Sequence, residues 1–304
     1  MNIIAQLQGG LGNQLFQYAT ARALANHYGA TLELDTAWFI DAFPNVTKRD
    51  IGLTHLQIEA QMVCQRPLRT RPKTLKRIAQ EFLPVSPYTL TETTPYVFSK
   101  KMNGLSLYPK QDLYLLGYWQ SYKYFSRIRE DLVRQIQPKT SLNSVYQNFF
   151  SLIKSNVSGM VHIRRGDYVH LPAASKVHGF LGLDYYHQGM ALFLEQNPAI
   201  QFFVFSDDIP WARSNLPFQE RITFIEVAAE LESADQELFL MSQCQFHLIA
   251  NSSLSWWGAW LAHGEGLDNK VICPAYWTND HEMNWDDLLP KNWKRVRPTK
   301  PMLP

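Results

Sequence analysis

Asn2-Ile3-Ile4-Ala5-Gln6-Leu7-Gln8-Gly9-Gly10-Leu11-Gly12-Asn13-Gln14 runs from a short apolar segment into a cluster of glycines. The apolar run with a turn signal behind it predicts a buried strand from Asn2 to Leu7, and Gly9 to Gly12 predict the turn. Leu15, Tyr18, Ala19, Arg22 and Ala25 then recur at helical spacing, so a helix is predicted from Asn13 to Tyr28, with Gly29 ending it. Thr31-Leu32-Glu33-Leu34 follows as a second strand. A strand, a helix and a strand joined by a crossover of this length form a parallel pair, which places the opening in the α/β class.

The same rhythm returns further along. Strand candidates lie at Tyr114 to Leu116, Met160 to Ile163, Gln201 to Phe205, Ile222 to Ile225, Phe246 to Ala250 and Val271 to Cys273. Helical patterns run from Phe125 to Gln137, Tyr185 to Gln196, Glu230 to Gln243 and Ser255 to Ala262. Pro138-Lys139-Thr140-Ser141 marks a boundary, so two doubly wound α/β domains are expected, 1–140 and 141–304, facing each other across a central cleft. In such sheets ligands bind beyond the C-terminal ends of the strands, so the loops that follow strands are the informative ones. Between Asp41 and Pro109 prolines break every long periodicity and the sequence gives no clear elements.

Composition narrows the function. A length of 304 residues, 46% hydrophobic and 18% charged, suits two ordinary globular domains. With 29 Lys plus Arg against 27 Asp plus Glu, the chain carries no general field for nucleic acid, and any anion site must be local. Cys64, Cys244 and Cys273 are far apart without metal-ligand spacing and read as free thiols of a reducing compartment. The first residues show no export signal and no apolar run is long enough to span a bilayer, so a cytoplasmic protein is expected. The basic stretch Lys291 to Lys300 reads as a solvated tail, with weak peripheral contact to an anionic membrane as the alternative.

Three loops after predicted strands carry chemistry. Gly10-Leu11-Gly12 with Asp35 half-matches a dinucleotide fingerprint, but Leu15 stands where the third glycine belongs. A dinucleotide-dependent oxidoreductase is therefore one alternative, and Asn13 and Gln14, with amides near a helix start, suggest contacts to sugar hydroxyls or phosphate instead. His162-Ile163-Arg164-Arg165-Gly166-Asp167-Tyr168 sets two arginines at a strand end, where a guanidinium can grip a diphosphate through two parallel donors while Asp167 orients its neighbour. Asn251-Ser252-Ser253-Leu254-Ser255-Trp256-Trp257-Gly258 puts hydroxyls at a helix start, a second phosphate-binding device. Asp207 and Asp208 end another strand without a third ligand at metal spacing, which favours capping and loop contacts over a metal. Glu237, on the helix before the strand that leads to Asn251, is either an exposed acid or a carboxylate matched to the paired N–H donors of guanine. Nine tryptophans also admit a noncatalytic glycan-binding protein, although most aromatics of this kind serve as core.

Taken together, these motifs resemble the α1,2-fucosyltransferases of glycosyltransferase family 11, from the Gly9-Gly10-Leu11-Gly12-Asn13-Gln14 loop to the tryptophan motif. His162-x-Arg164-Arg165-x-Asp167 is similar to a motif shared with core α1,6- and protein O-fucosyltransferases. The resemblance implies the GT-B architecture of two Rossmann-like domains, the first on the acceptor side and the second binding the donor. It implies a GDP-β-L-fucose donor, no cofactor or required metal, inversion to an α-fucoside, and a galactose-terminated oligosaccharide or glycolipid as acceptor. Arg164 then meets the diphosphate with Arg165 beside it, Asn251, Ser252 and Ser253 assist, His162 and Asp207 help hold the nucleotide, and Glu237 reads guanine. Gly10, Gly12 and Asn13 fall at the junction of donor and acceptor, and Asp167 is the candidate base.

Overall fold

Ile3, Ile4 and Ala5 are all buried although successive side chains of a strand point to opposite faces, so β1 (Asn2–Gln6) must be covered on both sides. The computed structural model describes residues 1–40, 49–64, 87–100, 102, 111–166, 169, 172–262 and 270–298. It divides into two compact units, Met1–Ile136 and Gln137–Pro304.

In the first unit β1 leads into α1 (Leu11–Tyr28), which begins two residues earlier than its periodicity suggests and places Gly12 inside its first turn. After it come β2 (Thr31–Asp35), β3 (Gln61–Val63), β4 (Tyr88–Thr91) and β5 (Leu113–Leu116), all parallel in the order β3-β2-β1-β5-β4. The strands β3 and β4 went unread in the sequence because they are largely exposed and present no apolar run. The helix expected from Phe125 is a 3-10 turn, Ser126–Ile128, followed by the short α2 (Arg129–Gln135).

The second unit opens with α3 (Ser144–Ser155), capped by the Asn143 side chain, which accepts from the N–H groups of Val145 and Tyr146. There follow β6 (Ser158–Ile163), α4 (Pro172–Val177), α5 (Leu183–Gln196), β7 (Gln201–Ser206), α6 (Ile209–Asn215), β8 (Ile222–Phe224), α7 (Ala234–Gln243), β9 (Phe246–Leu248), α8 (Ser253–Leu261), β10 (Val271–Pro274) and β11 (Lys294–Val296). All pair in parallel in the order β11-β10-β9-β6-β7-β8. Val161, Val204 and Leu248 from neighbouring strands pack with Tyr185, Met190 and Phe193 of α5 in the core.

β11 corrects the reading of a solvated basic tail. Trp293 and Val296 are buried, Arg295 donates to Asp286 at 2.7 Å, and the Arg297 guanidinium lies 5.5 Å over the Tyr276 ring. Through residue 297 the stretch is therefore the edge of the sheet and its flank, while Lys300 lies outside the described residues. No helix among the described residues is long and apolar enough to cross a membrane.

The second sheet reverses its strand order once, between β6 and β9. At such a reversal the flanking loops diverge to opposite faces and leave room for a ligand.

Candidate active site

β6 is buried along its length, so the first side chain past it that reaches solvent is Arg164. Its Nη1 lies 2.9 Å from Asp207 Oδ2, with both side chains 25% exposed, so one edge of the guanidinium stays accessible. Asp207 follows the neighbouring strand β7, and its carboxylate also accepts from the N–H groups of Arg165 at 2.8 Å and Gly166 at 3.0 Å. A Cβ on Gly166 would stand 2.7 Å from Asp207 Oδ2, so the approach requires glycine. The aspartate thus fixes the arginine loop through three contacts.

Arg165 departs from its expected part as a donor ligand. Its Nε donates to Asp208 at 3.1 Å, and its guanidinium lies 4.1 Å from the centroid of Trp211 and 5.0 Å from that of Phe180. Packed and paired in this way, it is a pillar under the loop. Asp208 also caps α6 through the Trp211 N–H at 3.1 Å. Asp207 is likewise a brace for Arg164, and among the described residues no group of His, Cys, Asp and Glu gathers to hold a metal. Asp167, the candidate base, lies outside the described residues.

His162 is buried at the end of β6, and its Nδ1 has no hydrogen-bond partner among the described residues. Burial above all, together with the Arg164 charge and against the opposing pull of Asp207, brings its pKa down to about 4. The imidazole is therefore neutral at neutral pH.

Across the strand reversal, the loop after β9 delivers Ser252 and Ser253 to the start of α8. Ser252 occupies the capping position, yet its side chain makes no capping bond, so the first N–H groups of α8 have no side-chain cap. Trp256, Trp257 and Trp260 are buried behind them, and Trp256 donates from Nε1 to the Leu288 carbonyl at 2.9 Å, which anchors the helix. Asn251, expected to assist at the diphosphate, is 1% exposed, and its Nδ2 donates to the carbonyls of His178 at 3.0 Å and Trp277 at 3.3 Å.

Glu237 on α7 is half-buried and hydrogen-bonded to Tyr146, not the exposed helix acid of the plainer reading. Burial first, then the charges of Glu232 and Asp207, push its carboxyl up to about 7. The influence of Asp207 places Glu237 in the same electrostatic neighbourhood as the arginine loop. His178 joins it too, a residue that sequence reasoning passed over: burial and, to a smaller degree, Arg164 lower its pKa, while a bond to the Trp277 backbone opposes them. Its only sequence signal is the glycine behind it.

In the first unit the Gly10 carbonyl accepts from the N–H groups of Asn13 and Gln14, both at 3.0 Å, and the space beside its Cα is open. Gly12 is buried in the first turn of α1. Gln14 is fully buried, and its amide donates to the carbonyls of Gly9 at 2.9 Å and Asp50 at 2.8 Å. Asn13 remains half-buried, with Oδ1 accepting from Gln120 Nε2 at 2.9 Å. Asp35 is fully buried, accepting from the Tyr114 hydroxyl and from the Ala37 N–H at 2.9 Å. Committed inside the core, it cannot serve a ribose, and the dinucleotide alternative loses its acidic residue. The glycan-binding alternative weakens as well, because Trp119, Trp256, Trp257, Trp260, Trp277, Trp285 and Trp293 are all buried.

Comparison with known families matches residues 5–297 to the family described as Glycosyl transferase family 11. This chain belongs to that family. An alpha-1,2-colitosyltransferase of Escherichia coli is 34% identical to this glycosyltransferase over 97% of its chain and 98% of the relative. The O-antigen biosynthesis glycosyltransferase WbnK, also of Escherichia coli, is 30% identical over 89% and 93%. Among solved structures, FUT1 of Arabidopsis thaliana in complex with GDP covers 86% of this chain and 68% of its own, with a TM-score of 0.50 and 10% identity. That likeness is one of fold, the GT-B class, and each of the two parallel sheets of this family 11 glycosyltransferase builds a Rossmann-like α/β unit.

Proposed function

We propose that the chain transfers L-fucose from GDP-β-L-fucose to the 2-hydroxyl of a terminal β-galactoside on an oligosaccharide or glycolipid, inverting the anomeric centre to an α1,2 linkage. The observation that carries the reading is that the Arg164 loop and the Ser252–Ser253 loop at the start of α8 follow the neighbouring strands β6 and β9 at the strand reversal of the second unit, with Glu237 under the influence of Asp207. Guanidinium, hydroxyls and helix N–H groups supply donors for a diphosphate, and they gain strength as the glycosidic oxygen takes on charge in the transition state. The acceptor oxygen attacks fucose C1, the C1–O bond to GDP breaks, and the hydroxyl proton leaves to a base for which Asp167 is the candidate. Two Bos taurus relatives named galactoside α1,2-fucosyltransferases, 25% identical over about half of this chain, support the transferred sugar and the linkage.

The similarity to a colitosyltransferase favours a second donor reading, GDP-colitose, whose sugar is fucose without its 3-hydroxyl. Incubation with each donor and a panel of galactosides, followed by NMR of the product, decides. Transfer of fucose to O2 is expected; a different linkage overturns the regiochemistry, and transfer from GDP-colitose alone overturns the donor.

Turnover is expected to persist in excess chelator, because Arg164 and the helix start neutralise the diphosphate and Asp207 and Asp208 are bound to arginines. Loss of activity restored by manganese would reassign the two aspartates as metal ligands.

Glu237 gives a pH dependence with a definite sign. Only the ionised carboxylate accepts from both guanine donors, so GDP affinity should weaken as pH falls through about 7. Glu237→Gln should lower affinity by roughly tenfold above that point and flatten the dependence, as calorimetry would show. In the ligand-free protein the raised value means that the stabilising contribution of Glu237 is complete below its unfolded pKa and is lost as pH rises through about 7. The same variant should therefore melt higher than the parent in alkaline buffer. Parental GDP affinity at every pH would return Glu237 to a structural role.

A further inference from the structure

β1 and β5 are neighbouring parallel strands of the first unit, so the loops after them leave the sheet side by side, and there Gln120 donates to Asn13. The loop bearing Gln120 is held in a demanding shape. Gly117 has φ 150°, and a Cβ there would stand 2.4 Å from the Glu92 Cβ. Trp119 has φ 56°, a left-handed conformation that residues with side chains seldom adopt, and is 2% exposed. Such a backbone persists only where its surroundings determine it.

The determining group is Glu92, just past β4. Its two carboxylate oxygens accept from successive N–H groups, Tyr118 at 2.8 Å and Trp119 at 3.1 Å. Burial raises the carboxyl above the usual range, with these two bonds opposing. Gln17 completes the frame, donating to the Gly117 carbonyl at 3.1 Å while accepting from the Gln8 N–H at 3.0 Å. Both loops are thereby fixed to one another, and Gln120 is delivered to Asn13.

What the pair offers follows from its chemistry. Two carboxamides sharing one hydrogen bond keep an N–H donor on Asn13 and a carbonyl acceptor on Gln120 side by side, without charge. A sugar hydroxyl donates and accepts at once and matches such a pair, whereas a phosphate would face an acceptor oxygen.

We propose that the Asn13–Gln120 pair receives a hydroxyl of the neutral sugar acceptor and that Glu92 is the positioning residue that sets it. This rests on the fucosyl-transfer reading above. Acceptor KM, donor KM, kcat and fucose release without acceptor are measured for the parent, Gln120→Ala, Glu92→Gln and the double variant. Gln120→Ala should raise acceptor KM by roughly tenfold, the loss of a hydrogen bond, with donor KM and acceptor-free hydrolysis unchanged. Glu92→Gln, which presents an amide N–H to one of the two backbone donors, should show the same split. Since Glu92 acts through Gln120, the double variant should be no worse than the worse single one. Parental acceptor KM in Gln120→Ala, or multiplying effects in the double variant, overturns the proposal. Should Glu92→Gln fail to fold, Gln120→Ala and Gln120→Glu decide alone, and parental acceptor KM in both overturns it. A parent that transfers no fucose to any galactoside removes the function reading and this inference together; active transfer with unshifted Gln120 variants removes this inference only.

Discussion

Arg164→Lys is expected to fold as the parent does and to lose roughly a hundredfold in kcat with GDP-fucose and a β-galactoside, the usual scale for removing a donor aimed at developing charge. Lysine keeps the positive charge but not the planar fork, and Asp207 already engages one end of that fork. A lysine ammonium is a single point: near Asp207 it leaves the diphosphate, and near the diphosphate it leaves Asp207. The stability cost should stay within about 1 kcal/mol, because the ion pair is partly exposed. Thermal unfolding beside steady-state kinetics separates the two quantities. A folded Arg164→Lys enzyme with parental kcat removes this residue from the mechanism.

The second large effect is expected at Asp207. Its alanine variant leaves the N–H groups of Arg165 and Gly166 and the Arg164 guanidinium without their common acceptor. Turnover should fall by about tenfold to a hundredfold as Arg164 loses its fixed direction, with a stability loss of only about 1 kcal/mol, because the two backbone donors are exposed and water can replace the carboxylate. Combining Asp207→Ala with Arg164→Lys should cost little more in kcat than the lysine change alone, since one acts through the other. Fully multiplying effects would mean that Asp207 touches substrate on its own account.

Legibility tracked burial. β1, β6, β7 and β10 were readable because consecutive apolar residues must lie inside a covered parallel sheet, and the boundaries moved by only a residue or two. β3, β4 and β11 were not, because edge strands carry mixed or charged side chains that look like loops. In the second unit, motif residues proved easier to find than to assign. Arg164 and Arg165 are adjacent and chemically identical, yet one faces solvent beside Asp207 while the other lies over Trp211 and Phe180, a difference set by side-chain direction. Gln14 and Asn251 look like ligand-binding amides, but their partners are backbone carbonyls far along the chain, which no local pattern discloses. Glu92 escaped for the same reason: its partners are backbone N–H groups more than twenty residues away.

The strand Lys294–Val296 has one further consequence. An open parallel sheet ends in a row of backbone groups that invite another chain to add itself as the next strand. Here the terminal strand is short and carries an exposed cation, Lys294, and an exposed charged pair, Arg295 with Asp286, which discourage docking of an apolar segment. Behind it stands Val271–Pro274, buried at every position. Without the outer strand that apolar ribbon would become the margin of the sheet, an adhesive edge for self-association. The charged outer strand thus covers the apolar ribbon behind it.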